Sequence, residues 1–205
     1  MDYFFSDDGE RVNVLDMEDD PIDQKIWSLA DALWKPSPQK WVIQGLISEG
    51  SVSVVAGFPG TKKSYAMLTA AMAVASGLPW IGFTTHKGPV LVIDQESGTR
   101  RLIKRLEQVL NGMKCKPEIP LFYTTEPLNL RVKEGINSLD QFIKSKKAKL
   151  VVIDALADIM PGADENTVKD VGPVFLSLRK IAEDNNCAIV IIHHANKSGD
   201  YRGST

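Results

Sequence analysis

The chain has 205 residues, of which 43% are hydrophobic and 24% are charged, so it suits one soluble globular domain, or one domain with an extension. Its formal net charge of -2 excludes a global basic signal for nucleic acid, so any such contact has to be a local patch. No stretch approaches the roughly 20 apolar residues of a membrane span, and the acidic N-terminus does not resemble a signal peptide. These features predict a cytoplasmic protein without a membrane partner.

Two segments precede the main body of the chain. Residues 1–20 contain the acidic runs SDDGE and DMEDD without sustained periodicity, which predicts a mobile arm or the tail of an upstream region. The stretch DQKIWSLADALW, residues 23–34, places its apolar residues on one helical stripe, and the prolines of KPSPQK then end that helix. We therefore divide the chain into an acidic arm with a short helix, residues 1–39, and a main body, residues 40–205.

The main body alternates apolar strands with helices. The predicted strands are SVSVVAG (51–57), GPVLVIDQE (88–96), IPLFYTT (119–125), KLVVIDAL (149–156) and CAIVIIHH (187–194). The predicted helices are KSYAMLTAAMAVASG (63–77), TRRLIKRLEQVLNG (99–112), GINSLDQFIKSKK (135–147) and TVKDVGPVFLSLRKIAEDNN (167–186), the last with an irregularity at Gly172–Pro173. Strands this apolar predict an α/β fold whose mostly parallel sheet is covered by helices on both faces.

A candidate phosphate-binding loop, GFPGTKKSY, lies between the first of these strands and the first helix. The usual pattern is G-x-x-x-x-G-K-[S/T], and Lys62 stands where the second glycine is expected. Backbone N–H groups of such a loop, helped by the positive end of the helix dipole, bind phosphate. Lys63 is expected to reach the β- and γ-phosphates of a nucleotide, and the Ser64 hydroxyl to hold Mg²⁺. The predicted nucleotide-binding residues are Gly57, Phe58, Pro59, Gly60, Thr61, Lys62, Lys63, Ser64 and Tyr65.

The glycines of this loop are expected to allow tight turning and a close approach of the backbone to the ligand. The alternative is a glycine-bearing turn between a strand and a helix with an exposed lysine. Lys62 favours that alternative, because the missing glycine removes conformational freedom. A lysine N–H can still bind phosphate if the local dihedral angles suit an L-residue.

Ionisable side chains end three of the other predicted strands. Asp154 stands at the carboxyl end of a buried strand, where ligands of open α/β sheets collect, and is the second candidate ligand of Mg²⁺. No glutamate follows it directly, so a carboxylate that activates water has to come from elsewhere. Glu96 provides one, unless it and Asp94 merely flank a solvated loop. His193 and His194 end the last strand, where a histidine can hydrogen-bond the γ-phosphate or its attacking water; adjacent strand residues point to opposite faces, so the two do not share this role.

The order of these motifs resembles the RecA-like ATPases of the RepA/DnaB replicative-helicase type, in the plasmid, phage and mobile-element branch whose members often adjoin a primase domain. The resemblance covers about residues 40–205. The stretches that carry it are WVIQGLISEGSVSVVAGFPGTKKSYAMLTAAMAVASGLPWIG, VLVIDQESGTRRLIKRL, LVVIDALADIMPGADEN and IIHHANKSGDYRGST. Members of this branch often read G-x-x-G-x-x-K-S, which this loop matches, so the resemblance implies a working loop.

The resemblance also implies roles for individual residues. The catalytic glutamate of this family ends the strand after the P-loop helix, a position that Glu96 holds. A polar sensor ends the IIHH strand, which carries over to His193 or His194, and we favour His194. With Lys63, these form the predicted catalytic set.

On the resemblance we expect a helicase motor that uses ATP and Mg²⁺, acts on DNA, in particular single-stranded DNA, and forms a homo-oligomeric ring, with a possible primase domain or partner. Relatives continue into further strands after YRGST, so we expect a RecA-like core truncated at its C-terminus, with the arginine finger in the missing region. Two alternatives stay open. One is a RecA-like ATPase of recombination, repair or regulation that does not unwind DNA, and the other is a nucleotide-binding module that no longer hydrolyses.

Overall fold

The computed structural model describes residues 3–5, 11–13, 28–34, 38–164 and 167–194, and it divides into two units, Met1–Pro38 and Gln39–Thr205. In the first unit, strands β1 (Tyr3–Phe5) and β2 (Arg11–Asn13) pair antiparallel, and helix α1 spans Leu29–Trp34. The sequence did not indicate these two strands, because runs of three residues leave no sustained periodicity. Residues 23–27 of the predicted first helix lie outside the described residues.

The second unit contains a small hairpin and a five-stranded parallel sheet. The hairpin joins β3 (Trp41–Ile43) to β4 (Ile47–Ser48), and strands this short leave no periodic signal in the sequence. The sheet has the spatial order β5-β9-β8-β6-β7. Its strands are β5 (Val52–Gly57), β6 (Val90–Asp94), β7 (Leu121–Thr124), β8 (Leu150–Asp154) and β9 (Ala188–His194). The connecting helices are α2 (Lys63–Ser76), α3 (Thr99–Gly112), α4 (Lys133–Lys146) and α5 (Val168–Asn185).

Two buried clusters show that helices cover both faces of this sheet. Alternate residues of one strand enter different clusters: Val152 packs in the cluster that contains residues of α2 and α3, and Ile153 in the cluster that contains residues of α4 and α5. This alternation is what a strand buried on both sides requires, and it confirms the predicted α/β class. Among the described residues, no helix is long and apolar enough to cross a membrane.

Helix α5 runs without interruption through Gly172–Pro173, where we predicted an irregularity. Pro173 lies in the second turn, so its missing N–H removes a single intrahelical hydrogen bond close to the helix start.

The strand register brings the candidate residues to one edge of the sheet. Gly57 at the end of β5 is paired with His194 at the end of β9, and Asp94 at the end of β6 is paired with Asp154 at the end of β8. All five strands are parallel, so these carboxyl ends lie on the same side. Ligands of open α/β sheets bind at this edge.

Candidate functional site

Lys63, the second of the two lysines in the loop, is buried within the loop. The Lys63 side chain is only 8% exposed, and its Nζ donates hydrogen bonds to the carbonyl oxygens of Gly57 (2.7 Å) and Phe58 (2.9 Å). The Thr61 hydroxyl donates to the same Phe58 oxygen at 2.8 Å. The ammonium group therefore lies beside the backbone of the loop, where it can meet an anion that the loop binds.

Helix α2 begins directly after the loop. Its first backbone hydrogen bond runs from the Ala66 N–H to the Lys62 carbonyl at 3.0 Å, so the N–H groups of residues 63–65 precede that bond. Free N–H groups at a helix N-terminus, together with the helix dipole, attract phosphate. The start of α2 therefore leaves these N–H groups available to a ligand, and phosphate binding at the loop stays a prediction.

Lys62 has a left-handed backbone conformation, in which glycine is the usual residue. Its φ is 66° and its ψ is 23°, in the left-handed region, which costs an L-residue about 1–2 kcal/mol. The angles are therefore not those that suit an L-residue, and the loop is strained at this position. Gly60 also has a positive φ, of 81°, as expected for a turn glycine.

Gly57 does not need to be glycine for space in this conformation. A Cβ atom there would lie 3.4 Å from Thr61 Oγ1 and 3.5 Å from Lys63 Cδ, at or near ordinary van der Waals distance. The close approach that we expected at Gly57 is to a bound ligand, and it stays a prediction.

Ser64 and Asp154 form an oxygen-rich pair beside the loop. The Ser64 hydroxyl hydrogen-bonds the Asp154 carboxylate, which is 4% exposed. Burial raises the pKa of Asp154, and the negative charges of Asp94 and Glu96 act in the same direction, against the Ser64 hydrogen bond and His194, which lower it. Within the described residues, Asp154 Oδ1 has no hydrogen-bond partner. A buried carboxylate oxygen without a partner is costly, and hydroxyl and carboxylate oxygens are ligands that Mg²⁺ prefers, so this pair fits the predicted magnesium site.

The side chains of Glu96 and His194 contact each other close to Asp154. His194 Nε2 lies 3.2 Å from Glu96 Oε2, and both side chains remain partly exposed, at 31% and 47%. One ligand atom each from Glu96, Asp154 and His194 lie within 4.8 Å of one another, a separation at which carboxylate and imidazole groups can also coordinate a divalent cation. The structure thus brings together three predicted site residues that are far apart in the sequence.

Asp94 is buried and holds the backbone of the turn after β6, so it does not lie in a solvated loop. It is 1% exposed, its Oδ1 accepts a hydrogen bond from the Ser97 N–H at 2.8 Å, and its Oδ2 lies 3.8 Å from Arg105 Nη1. Arg105 Nη1 also donates to Ser97 Oγ at 2.6 Å. The prediction missed Ser97 and Arg105, because Arg105 is one of four basic residues in TRRLIKRL and nothing in that pattern distinguishes it.

Tyr65, predicted to bind nucleotide, contacts helix α3. Its hydroxyl donates a hydrogen bond to Gln108 Oε1 at 2.6 Å, and its ring centroid lies 5.7 Å from the Arg105 guanidinium and 5.9 Å from Lys62 Nζ. Tyr65 therefore joins the loop and the start of α2 to α3.

A parallel sheet with a candidate phosphate-binding loop after its edge strand β5, and with acidic residues from β8 and from the turn after β6 at the same edge, is the arrangement of a RecA-like P-loop ATPase fold. A family model described as AAA domain (AAA_25) matches residues 18–200, and the chain belongs to this family.

The fold is also similar to that of solved proteins. One of 390 matching solved chains is the crystal structure of the RadB recombinase, with a TM-score of 0.53 and 20% sequence identity. The match covers 76% of this chain and 66% of that chain, just under two thirds of its length. At this identity the likeness shows the fold alone. No curated protein matches the chain.

Proposed function

We propose that this protein binds ATP together with Mg²⁺ at residues 57–65 and hydrolyses the ATP to drive movement on DNA. The observation that carries the proposal is the meeting of a P-loop lysine, a hydroxyl–carboxylate pair and a glutamate–histidine pair at one edge of the sheet. These groups come from α2, from the ends of β8 and β9, and from the turn after β6. A solvated glycine turn with an exposed lysine would not require this convergence.

Each group has a role in the proposed reaction. The Lys63 ammonium group leaves the loop carbonyls to contact the β- and γ-phosphates, while the N–H groups at the start of α2 bind the phosphate oxygens. Ser64 and Asp154 hold Mg²⁺, which when bound neutralises charge on those oxygens. Glu96 orients the attacking water and accepts its proton, and His194, beside Glu96, contacts the water or the γ-phosphate.

Two adjacent lysines provide a matched test of binding. Lys63→Ala should abolish ATP binding measured by calorimetry, because Lys63 Nζ lies in the loop. Lys62→Ala should retain most of it, because Lys62 Nζ lies towards the Tyr65 ring. An essential Lys62 and a dispensable Lys63 would contradict the proposed loop.

Glu96→Gln separates binding from hydrolysis. The amide cannot accept the proton of water, so the variant should bind ATP and Mg²⁺ normally but lose on the order of 10²–10⁴ in hydrolysis rate. The rate is measured in a single turnover with protein in excess over [γ-³²P]ATP. Undiminished hydrolysis would exclude Glu96 as the base.

Within this ATPase class we propose a replicative helicase of the RepA/DnaB type, supported by the order of the sequence motifs. Its hydrolysis should be stimulated by single-stranded DNA, and it should displace a strand from a forked duplex. The second candidate is an ATPase of recombination or repair, which the fold likeness to the RadB recombinase favours. Stimulation by DNA without strand displacement would select this second candidate.

A nucleotide-binding module that no longer hydrolyses ATP is the third candidate, and the strained Lys62 is the observation that motivates it. The contact between Glu96 and His194 argues against it, because a module that only binds has no use for a positioned carboxylate beside the loop. ATP binding without any hydrolysis in the presence of DNA would select it.

We also propose a homo-oligomeric ring, in which a neighbouring subunit supplies a cation worth roughly 10³–10⁵ in rate, and a primase domain or partner. Analytical ultracentrifugation with ATP and single-stranded DNA tests the ring. A monomer that reaches full DNA-stimulated activity would contradict the ring.

The proposed domains remain an arm with a short helix, residues 1–39, and an ATPase core, residues 40–205.

A further inference from the structure

The turn between β6 and α3 presents Glu96, and its two neighbours in sequence are both fixed. On one side, the Gln95 N–H donates to the Asp154 carbonyl at 2.9 Å, which extends the sheet ladder. On the other side, the Ser97 N–H donates to Asp94 Oδ1 at 2.8 Å. The backbone of Glu96 is therefore held between two anchored residues, while its side chain reaches His194.

Arg105 supports the second anchor from the side of α3. Its Nη1 donates to Ser97 Oγ at 2.6 Å and lies 3.8 Å from Asp94 Oδ2. A single cationic nitrogen thus hydrogen-bonds the hydroxyl of Ser97 and partly neutralises the buried carboxylate that accepts the Ser97 N–H. Hydrogen bonds from a charged donor are roughly twice as strong as neutral ones, so this contact is a main restraint on the turn.

The same guanidinium contacts the helix that follows the phosphate-binding loop. It lies 5.7 Å from the centroid of the Tyr65 ring, whose hydroxyl is bonded to Gln108 one turn further along α3. A planar guanidinium can lie over an aromatic ring and direct its N–H groups sideways at the same time, whereas an ammonium group cannot. Arg105 therefore connects the start of α2 to the turn that carries Glu96.

We infer that Arg105 is a positioning residue for ATP hydrolysis, which holds the turn of residues 95–98 so that Glu96 stays at its place beside His194 and Asp154. Arg105 acts through Ser97 and Asp94 and does not itself touch the reacting atoms. The inference rests on the proposed ATPase function. Loss of Arg105 should leave phosphate binding intact, because the hydrogen bonds of Lys63 within the loop and of Tyr65 to Gln108 do not involve it, but should let Glu96 move away from its place.

Four variants test this inference. Arg105→Gln removes the charge and the fork, Ser97→Ala removes only the hydroxyl that Arg105 bonds, and the double variant combines them. Lys104→Gln is the matched control, since it removes a positive charge from an exposed residue next to Arg105 on the same helix. For each protein we would measure the single-turnover rate of phosphate release, the ATP dissociation constant by calorimetry and the thermal midpoint, with Glu96→Gln as the reference for lost chemistry.

A displacement of a reacting group by about 1 Å can cost on the order of 10² in rate, so Arg105→Gln should lower the single-turnover rate by about tenfold or more. Its ATP dissociation constant should stay within about twofold of wild type, because the substitution affects the position of Glu96 and not binding. Ser97→Ala should also lower the rate, and the double variant should be no slower than Arg105→Gln alone, since both remove one interaction. Lys104→Gln should behave as wild type.

Three results would overturn the inference while leaving the ATPase function in place. The first is a wild-type hydrolysis rate in Arg105→Gln while Glu96→Gln is inactive. The second is a double variant whose rate loss is the product of the losses in the two single variants. The third is a rate loss in Arg105→Gln that is accompanied by equal losses of ATP affinity and thermal midpoint. A wild-type protein that does not hydrolyse ATP would instead refute the proposed function, and the inference with it. An active Glu96→Gln would leave the ATPase function in place but exclude Glu96 as the base, and would refute the inference for that reason.

Discussion

Replacing Lys62 by glycine and by alanine tests whether the loop is strained as the structure shows. The two substitutions remove the same side chain beyond Cβ, including the approach of Nζ to the Tyr65 ring at 5.9 Å. They differ only in whether a Cβ atom remains at φ 66° and ψ 23°. The comparison therefore isolates the cost of the left-handed backbone.

The expected difference follows from two opposing terms. An L-residue in the left-handed region costs about 1–2 kcal/mol, which glycine does not incur. Glycine costs about 0.4–1 kcal/mol through the larger entropy of its unfolded chain. Lys62→Gly should therefore be more stable than Lys62→Ala by about 0.5–1 kcal/mol.

Urea unfolding of both variants measures this difference. With a slope of about 2 kcal/mol/M, the midpoints should differ by about 0.25–0.5 M at an unchanged slope. The same pair of substitutions at Lys104, in the interior of α3, is the control, and there the order should reverse, with glycine less stable by about 1 kcal/mol. A Lys62→Gly variant that is less stable than Lys62→Ala would refute the left-handed conformation of this residue.

Three further predictions concern packing and ionisation. Gly135→Ala should destabilise the protein by about 2–3 kcal/mol in urea unfolding, since its Cβ would clash with the Asn129 carbonyl oxygen. Gly112→Ala, with open space around it, should not, and equal stability of the two variants would contradict this packing. Burial raises the pKa of Cys187 to about 12, so iodoacetamide at pH 8 should label the half-buried Cys115 first and Cys187 only after unfolding, as peptide mass spectrometry would show. Burial raises the pKa of Asp154, so the ionised carboxylate destabilises the folded state. Without nucleotide, Asp154→Asn should therefore be more stable than wild type at pH 7. This difference in stability should disappear as the pH falls towards the pKa of the unfolded state, about 4. A gap that widens in acid would show that this carboxylate stabilises the fold as an anion.

The sequence alone was sufficient to predict the strands of the sheet, the helices that connect them and the position of the candidate loop. Strands buried on both faces are continuous apolar runs, and each is bounded by turn residues or by a helix start, so five strands and four helices of the main body could be predicted from local patterns. The carboxyl ends of parallel strands share one edge, so the predicted strand ends also placed Asp154, Glu96 and the two histidines near the loop. The features that could be predicted from the sequence are local, because hydrophobic patterning and turn chemistry act over a few residues.

Long-range packing decided the remaining features of the site. The position of β9 between β5 and β8 places His194 beside Gly57, and the burial of Asp94 separates it from the exposed Glu96 two residues later. The link from Arg105 to Ser97 depends on how α3 packs back against the sheet, eight residues after the turn. The left-handed angles of Lys62 depend on the whole loop, since nothing in the lysine side chain favours them. A side chain's neighbours and its backbone angles are set by the lowest free energy of the whole packed unit, and only the tertiary structure contains that information.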